Sequence, residues 1–180
     1  MTPTMCYSRD QEKGAGMTPE PQPILESAGR PVAADDVADF ILCRFRDKRE
    51  PVDHLKLQKL VYYVQAWHLA LYGEPLFRRE IQAWIHGPVE PRLYARFKEW
   101  RWKPIVLEDL KCPDLPGDVR DHIDEVLEVY ADYSGEELES IVHQEEPWLR
   151  ARRGLPPLEP SNNVIDEKDM EVFYLKPAQG

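Results

Sequence analysis

The stretch from Asp53 to Gly73 constrains this chain more than any other. Leu57, Leu60, Val61, Val64 and Leu71 recur at helical spacing, and Tyr62, Tyr63, Trp67 and Ala70 widen the apolar surface they make. A surface helix needs a single apolar stripe, whereas one that is apolar on several sides must be wrapped by neighbours. Asp53 is placed as the N-cap, its carboxylate accepting from amides that lack helical partners. Gly73 closes the helix where positive φ costs least, and Pro75 prevents its resumption. A buried central helix over about His54–Tyr72 therefore predicts a mainly α domain assembled around it.

The wrapping has to come from one domain's worth of chain, 180 residues with 42% apolar and 31% charged side chains, enough for a real core. A helix over about Asp35–Arg46 presents Val37, Phe40, Ile41 and Phe45 on one face. Alternation from Arg79 to Ile85 reads as a short strand, with Ile105-Val106-Leu107 as its expected partner. His86-Gly87-Pro88 reads as a turn opening a helix with Pro88 near its first position. That helix should reach Trp100 with Leu93, Tyr94, Phe97 and Trp100 inward. A further helix fits Gly117 to Tyr133. Ser134 and Glu137 form a capping box for the next, which Pro147 breaks near Glu145. A turn at Trp148–Arg152 ends at Gly154, and Asp166 with Asp169 caps a last helix ending near Tyr174. The expectation is a compact single domain of about six helices with a short β-element. Residues 1–31, with five prolines and three glycines, read as a disordered tail, leaving 32–176 as the folded domain.

Charge is unevenly spread. Residues 1–34 carry −1, residues 35–103 carry +3 and residues 104–180 carry −12, for a net −10. Such an excess disfavours nonspecific nucleic-acid binding by the whole molecule. The acidic C-terminal part suits either a solvated helix surface or a face for a basic partner. No apolar run is long enough to span a membrane, and no signal peptide is evident, so a cytoplasmic protein is expected. Cys6, Cys43 and Cys112 are odd in number and scattered, which argues against a disulfide framework and suits a reducing compartment.

Catalytic signatures are missing: no phosphate-binding glycine loop, no nucleophile elbow and no paired-histidine zinc motif occurs. His143 with Glu145 or Glu146 could give two metal ligands, but no third stands at diagnostic spacing. The reading is a non-enzyme with no metal and no cofactor, against the rival of an enzyme using the His143 segment. His68 fits a hydrogen-bonded core histidine. Arg92, Arg96, Lys98, Arg101 and Lys103, interleaved with Tyr94, Phe97, Trp100 and Trp102, form one basic-aromatic stretch. It suits an amphipathic helix with solvated arginines, a DNA contact, or a protein interface.

Four segments in order resemble one family. Leu55-Lys56-Leu57-Gln58-Lys59-Leu60-Val61-Tyr62-Tyr63 is the first, and Gly73-Glu74-Pro75-Leu76-Phe77 the second. The third is Ile81-Gln82-Ala83-Trp84-Ile85-His86-Gly87-Pro88-Val89-Glu90-Pro91, followed by Tyr94. His143-Gln144-Glu145-Glu146-Pro147-Trp148, with Ala151, is the fourth. Together they resemble the Panacea domain of SocA-like and phage GepA-like proteins, departing at Ile85-His86, where a basic residue and tyrosine are usual. The resemblance implies an antitoxin that binds a cognate toxin. In its SocA-like branch it implies a proteolytic adaptor delivering the toxin to the ClpXP protease. Direct steric blockade and DNA-binding autoregulation of the operon are the alternatives. Trp84, His86, Gly87, Pro88, Tyr94, His143, Pro147 and Trp148 are the candidate partner-binding residues. Core filling is the competing role for the same aromatics.

Overall fold

The computed structural model describes residues 32–175. Its elements are α1 (Ala34–Lys48), α2 (His54–Tyr72), β1 (Gln82–Trp84), β2 (Gly87–Val89), α3 (Pro91–Phe97), a 3-10 turn (Lys98–Trp100), α4 (Gly117–Tyr130), α5 (Gly135–Val142), α6 (Glu146–Arg152) and α7 (Glu167–Leu175). The described residues thus hold seven α-helices and one two-stranded hairpin. The tail expected over 1–31 lies outside them.

α2 is the hub, with α1, α3, α4, α5, α7 and β2 all packed against it. Leu57, Leu60, Tyr63, Val64 and Ala66 are wholly buried on it, and so is Lys59. Both ends are capped as the sequence predicts. Asp53 Oδ1 accepts from the Lys56 amide at 2.8 Å, and Gly73 stands at φ 71 with its amide on Leu69 O. The capping box also forms, the Glu137 amide donating to Ser134 Oγ at 3.2 Å and the Ser134 amide to Glu137 Oε2 at 2.8 Å.

Three expectations are corrected. The strand does not pair with Ile105-Val106-Leu107, because Gly87 at φ 94 folds the chain straight back. The hairpin register is Gln82 to Val89, Ala83 to Pro88 and Trp84 to Gly87. The other edge of β1 is met by the 163–165 segment, through Ala83 N to Asn163 O and Ile165 N to Ile81 O, each 2.8 Å. Ile105 instead donates to Val52 O, ahead of α2. Pro88 consequently belongs to β2, and the helix begins at Pro91. There Glu90 caps it, accepting from the Arg92 and Leu93 amides at 3.1 and 2.8 Å. Finally, Cys43 and Cys112 form a disulfide, Cα–Cα 5.9 Å, despite lying 69 residues apart. The irregular segment before α4 runs back to α1, where the Arg46 guanidinium donates to Leu110 O and Cys112 Sγ. Sequence spacing carries no trace of that approach.

Candidate functional site

The two motif segments that are far apart in sequence meet in space. Trp148 Nε1 donates to Trp84 O at 3.0 Å, joining α6 to the hairpin. His143 stacks on Trp148 with ring centroids 4.1 Å apart, and the Arg152 guanidinium lies 5.0 Å from the same indole. Arg152 is itself buried and donates to Pro156 O and Glu159 O, fixing the loop beyond α6. Trp148 is 5% exposed and Pro147 is buried, so both serve the scaffold. Behind them Glu145 is enclosed by tyrosines. Tyr174 OH donates to its Oε2 at 2.5 Å and Tyr63 OH to its Oε1 at 3.5 Å. Burial outweighs these bonds and pushes its carboxyl up to about 7.

Gly87 and Pro88 hold the other side of the scaffold. A Cβ at Gly87 would lie 2.7 Å from Lys59 Cε and 3.0 Å from Val142 Cγ1, so the hairpin can approach α2 this closely only with glycine. Pro88 O accepts from Lys59 Nζ at 3.2 Å. Burial brings the Lys59 ammonium down to about 7, with the Glu139 and Asp53 carboxylates opposing. Gln58 ties the same helix to the N-cap of α3, its Oε1 accepting from the Glu90 amide at 2.9 Å.

In front of this scaffold is a cavity of about 440 Å³, bounded by α2, the hairpin, α3 and the turn after it. Trp84, Tyr94 and Trp102 line its apolar surface. The Trp84 and Tyr94 rings are 4.8 Å apart, and Tyr94 lies 5.0 Å from His54. His86 sits on the rim, 6.3 Å from Trp102, its Nδ1 3.0 Å from Glu139 Oε1. His143 Nε2 stands 4.0 Å from that same oxygen, beyond hydrogen-bond reach, and burial holds its pKa below the usual imidazole range.

Of the candidate residues, then, Trp84, His86 and Tyr94 border the cavity. Gly87, Pro88, Pro147 and Trp148 are buried, and half-buried His143 packs on Trp148. Tyr94 is more exposed than expected, at 38%. Lys98, Arg101 and Trp102, from the basic-aromatic stretch, also line the cavity, and so does Lys59, which no sequence signal pointed to. The helix expected to reach Trp100 ends at Phe97, and a 3-10 turn over Lys98–Trp100 carries the chain to Arg101 and Trp102. Arg96, from the basic-aromatic stretch, is held by Asp35 and Asp39 at 3.3 and 2.7 Å. Among the described residues no group of three or more His, Cys, Asp or Glu is placed to hold a metal, and no helix is long and apolar enough to cross a membrane. A cavity lined by cations and aromatics is suited to noncovalent recognition.

Comparison with known proteins covers these same elements. Antitoxin SocA of Caulobacter vibrioides (strain NA1000 / CB15N) is 29% identical over 138 residues, spanning 70% of this chain and 73% of that protein. No solved structure matches. The family model described as "Antitoxin SocA-like, Panacea domain" matches residues 57–149, from α2 through the hairpin and α3 into α6. With scaffold and cavity both inside that span, the chain belongs to the antitoxin SocA-like, Panacea domain family.

Proposed function

We propose that this protein is the antitoxin of a toxin–antitoxin pair and that it works as a proteolytic adaptor, binding its toxin and delivering it to ClpXP. The observation that carries the binding half is that the His143–Trp148 segment packs against the Ile81–Tyr94 segment, whose Trp84, His86 and Tyr94 border an aromatic and basic cavity. Residues 32–176 form the toxin-binding domain. Trp84, His86 and Tyr94 touch the toxin. Gly87, Pro88, His143, Pro147 and Trp148 hold those contacts in place. The delivery half rests on the resemblance to SocA-like adaptors, and residues 1–31 supply the contact with the unfoldase. Tethering of that kind raises the local concentration of cargo without requiring tight contacts. Autoregulation through residues 92–103 has less to draw on, because Arg96 is engaged by Asp35 and Asp39 and α3 spans seven residues.

The test uses the product of the neighbouring reading frame. Its expression should arrest growth, and co-expression of this chain should restore it. With purified ClpXP, the full chain should accelerate degradation of that product, and deletion of residues 1–31 should slow degradation while leaving binding intact. Neutralisation without accelerated degradation would replace delivery by steric blockade. Absence of binding would end the antitoxin reading.

A further inference from the structure

The cavity differs in charge from the molecule that carries it. The chain is net −10, yet no Asp or Glu is among the described residues lining the cavity. Its lining instead includes Lys98 and Arg101, with Lys59 beneath them and two histidines, His86 and the His54 that burial keeps neutral. Glu139, outside the lining, is engaged by His86 on the rim. Lys59 lies fully buried beneath the cavity, and among the described residues its ammonium has a single hydrogen-bond acceptor, Pro88 O. An ammonium can donate three hydrogen bonds.

The apolar part of the lining is equally uneven. Trp102 is 68% exposed, next to Arg101, whose backbone sits at φ 51 and ψ −116. That is a sparsely populated conformation for a residue with a side chain, and such strain collects at sites that hold a ligand. A large exposed indole beside two cations is also the composition of an interface anchor. A volume of about 440 Å³ lies in the range of ligand-binding clefts.

We propose that this cavity receives a short segment of the toxin in which an apolar side chain stands beside an aspartate or glutamate. The apolar side chain enters among Trp84, Tyr94 and Trp102, and the carboxylate meets Lys98 and Arg101 at the mouth. This deepens the antitoxin reading and rests on it. Charge complementarity selects the segment: a basic one would face Lys98 and Arg101 there, and like-charge juxtaposition is strongly unfavourable.

The experiment uses the full chain and the product of the neighbouring reading frame. Binding by the wild-type protein tests the antitoxin reading, and the variants test the cavity. Lys98→Glu with Arg101→Glu should weaken binding by at least about tenfold, the scale of an interface hot spot, with an unchanged melting curve. Lys98→Glu alone, at a position of ordinary helical backbone, φ −56, covers the case in which the double variant fails to fold. Trp102→p-benzoylphenylalanine, irradiated in the complex, should crosslink to one toxin segment containing an Asp or Glu next to an apolar residue. Neutralising that acid to its amide should reproduce the loss. Undiminished affinity of the folded charge-reversal variants would overturn the proposal while leaving the antitoxin reading standing. So would crosslinks to a basic toxin segment, to residues 1–31 or to a second copy of this chain. Failure of the wild-type protein to bind would overturn both.

Discussion

Glu145 and Lys59 are both buried ionisable groups, 1% and 0% exposed, and their surroundings contrast. Glu145 is closed in by Tyr62, Tyr63, Tyr130 and Tyr174, whose own ionisation burial suppresses, and the hydroxyls of Tyr63 and Tyr174 donate to it. This latch joins the N-cap of α6 to α7. Lys59 has one backbone acceptor and lies directly beneath a cavity. The same family of motif residues therefore does two jobs. One set completes a polar network, which rigidifies. The other set leaves cationic and aromatic groups incompletely satisfied, which is the condition for binding something else.

The contrast is broken most severely at the indole that joins α6 to the hairpin. Trp148 connects the hairpin, His143 and Arg152, so Trp148→Ala should cost about 3–5 kcal/mol, as for other buried large aromatics. Thermal melts check this, and an unchanged melting temperature would refute the scaffold role. Gly87→Ala comes next. Its Cβ would collide with Lys59 and Val142 at positive φ, so a cost of about 1–3 kcal/mol is expected from overpacking. Gly73→Ala is the comparison, with positive φ but nothing within 4 Å, and should cost about 1 kcal/mol. Denaturant titrations of the two variants separate clash from backbone strain.

The third prediction concerns pH. Glu145 titrates at about 7 when folded against 4.5 ordinarily, so the unfolded chain releases this proton first as pH rises. Its contribution to stability is complete below about 4.5 and is lost as pH rises through about 7. Glu145→Gln should remove that loss, making the variant relatively more stable above neutrality. His54 and His122, both lowered to about 4 by burial, act in the opposite sense: their contribution is lost as pH falls from 6.5 toward 4. The difference between wild type and Glu145→Gln, measured across that range, isolates the carboxylate. A difference that does not vary with pH would refute the shift. Smallest of all is Trp102→Ala, which should change stability by no more than about 0.5 kcal/mol, as for other exposed positions. A larger loss in calorimetry would show Trp102 to be part of the scaffold rather than the cavity.

Legibility followed range. α2 reads residue for residue from Asp53, the apolar periodicity and Gly73, because its determinants lie within one segment. The capping box at Ser134 is legible for the same reason. The hairpin was half legible: Gly87 marked the turn, but the 163–165 segment closes β1 from 80 residues away, where no local pattern points. At the site, Trp84, His86 and Tyr94 were found through motif likeness. Lys59 was hidden because a lysine on a helix ordinarily reaches solvent, and only the close approach of Gly87 seals it in. The partnership of Glu145 with Tyr174 depends on where α7 lands, which sequence spacing does not encode.

The Cys43–Cys112 disulfide closes a loop containing α2, the hairpin and α3. Tension applied between the two ends of the chain therefore passes across the S–S bond and bypasses that loop. An oxidised molecule stretched in an optical trap would extend short of its full contour by about 240 Å, the length of the 69 bridged residues at ~3.5 Å each. The elements around the cavity would be left out of the load path until a reductant restored the missing length.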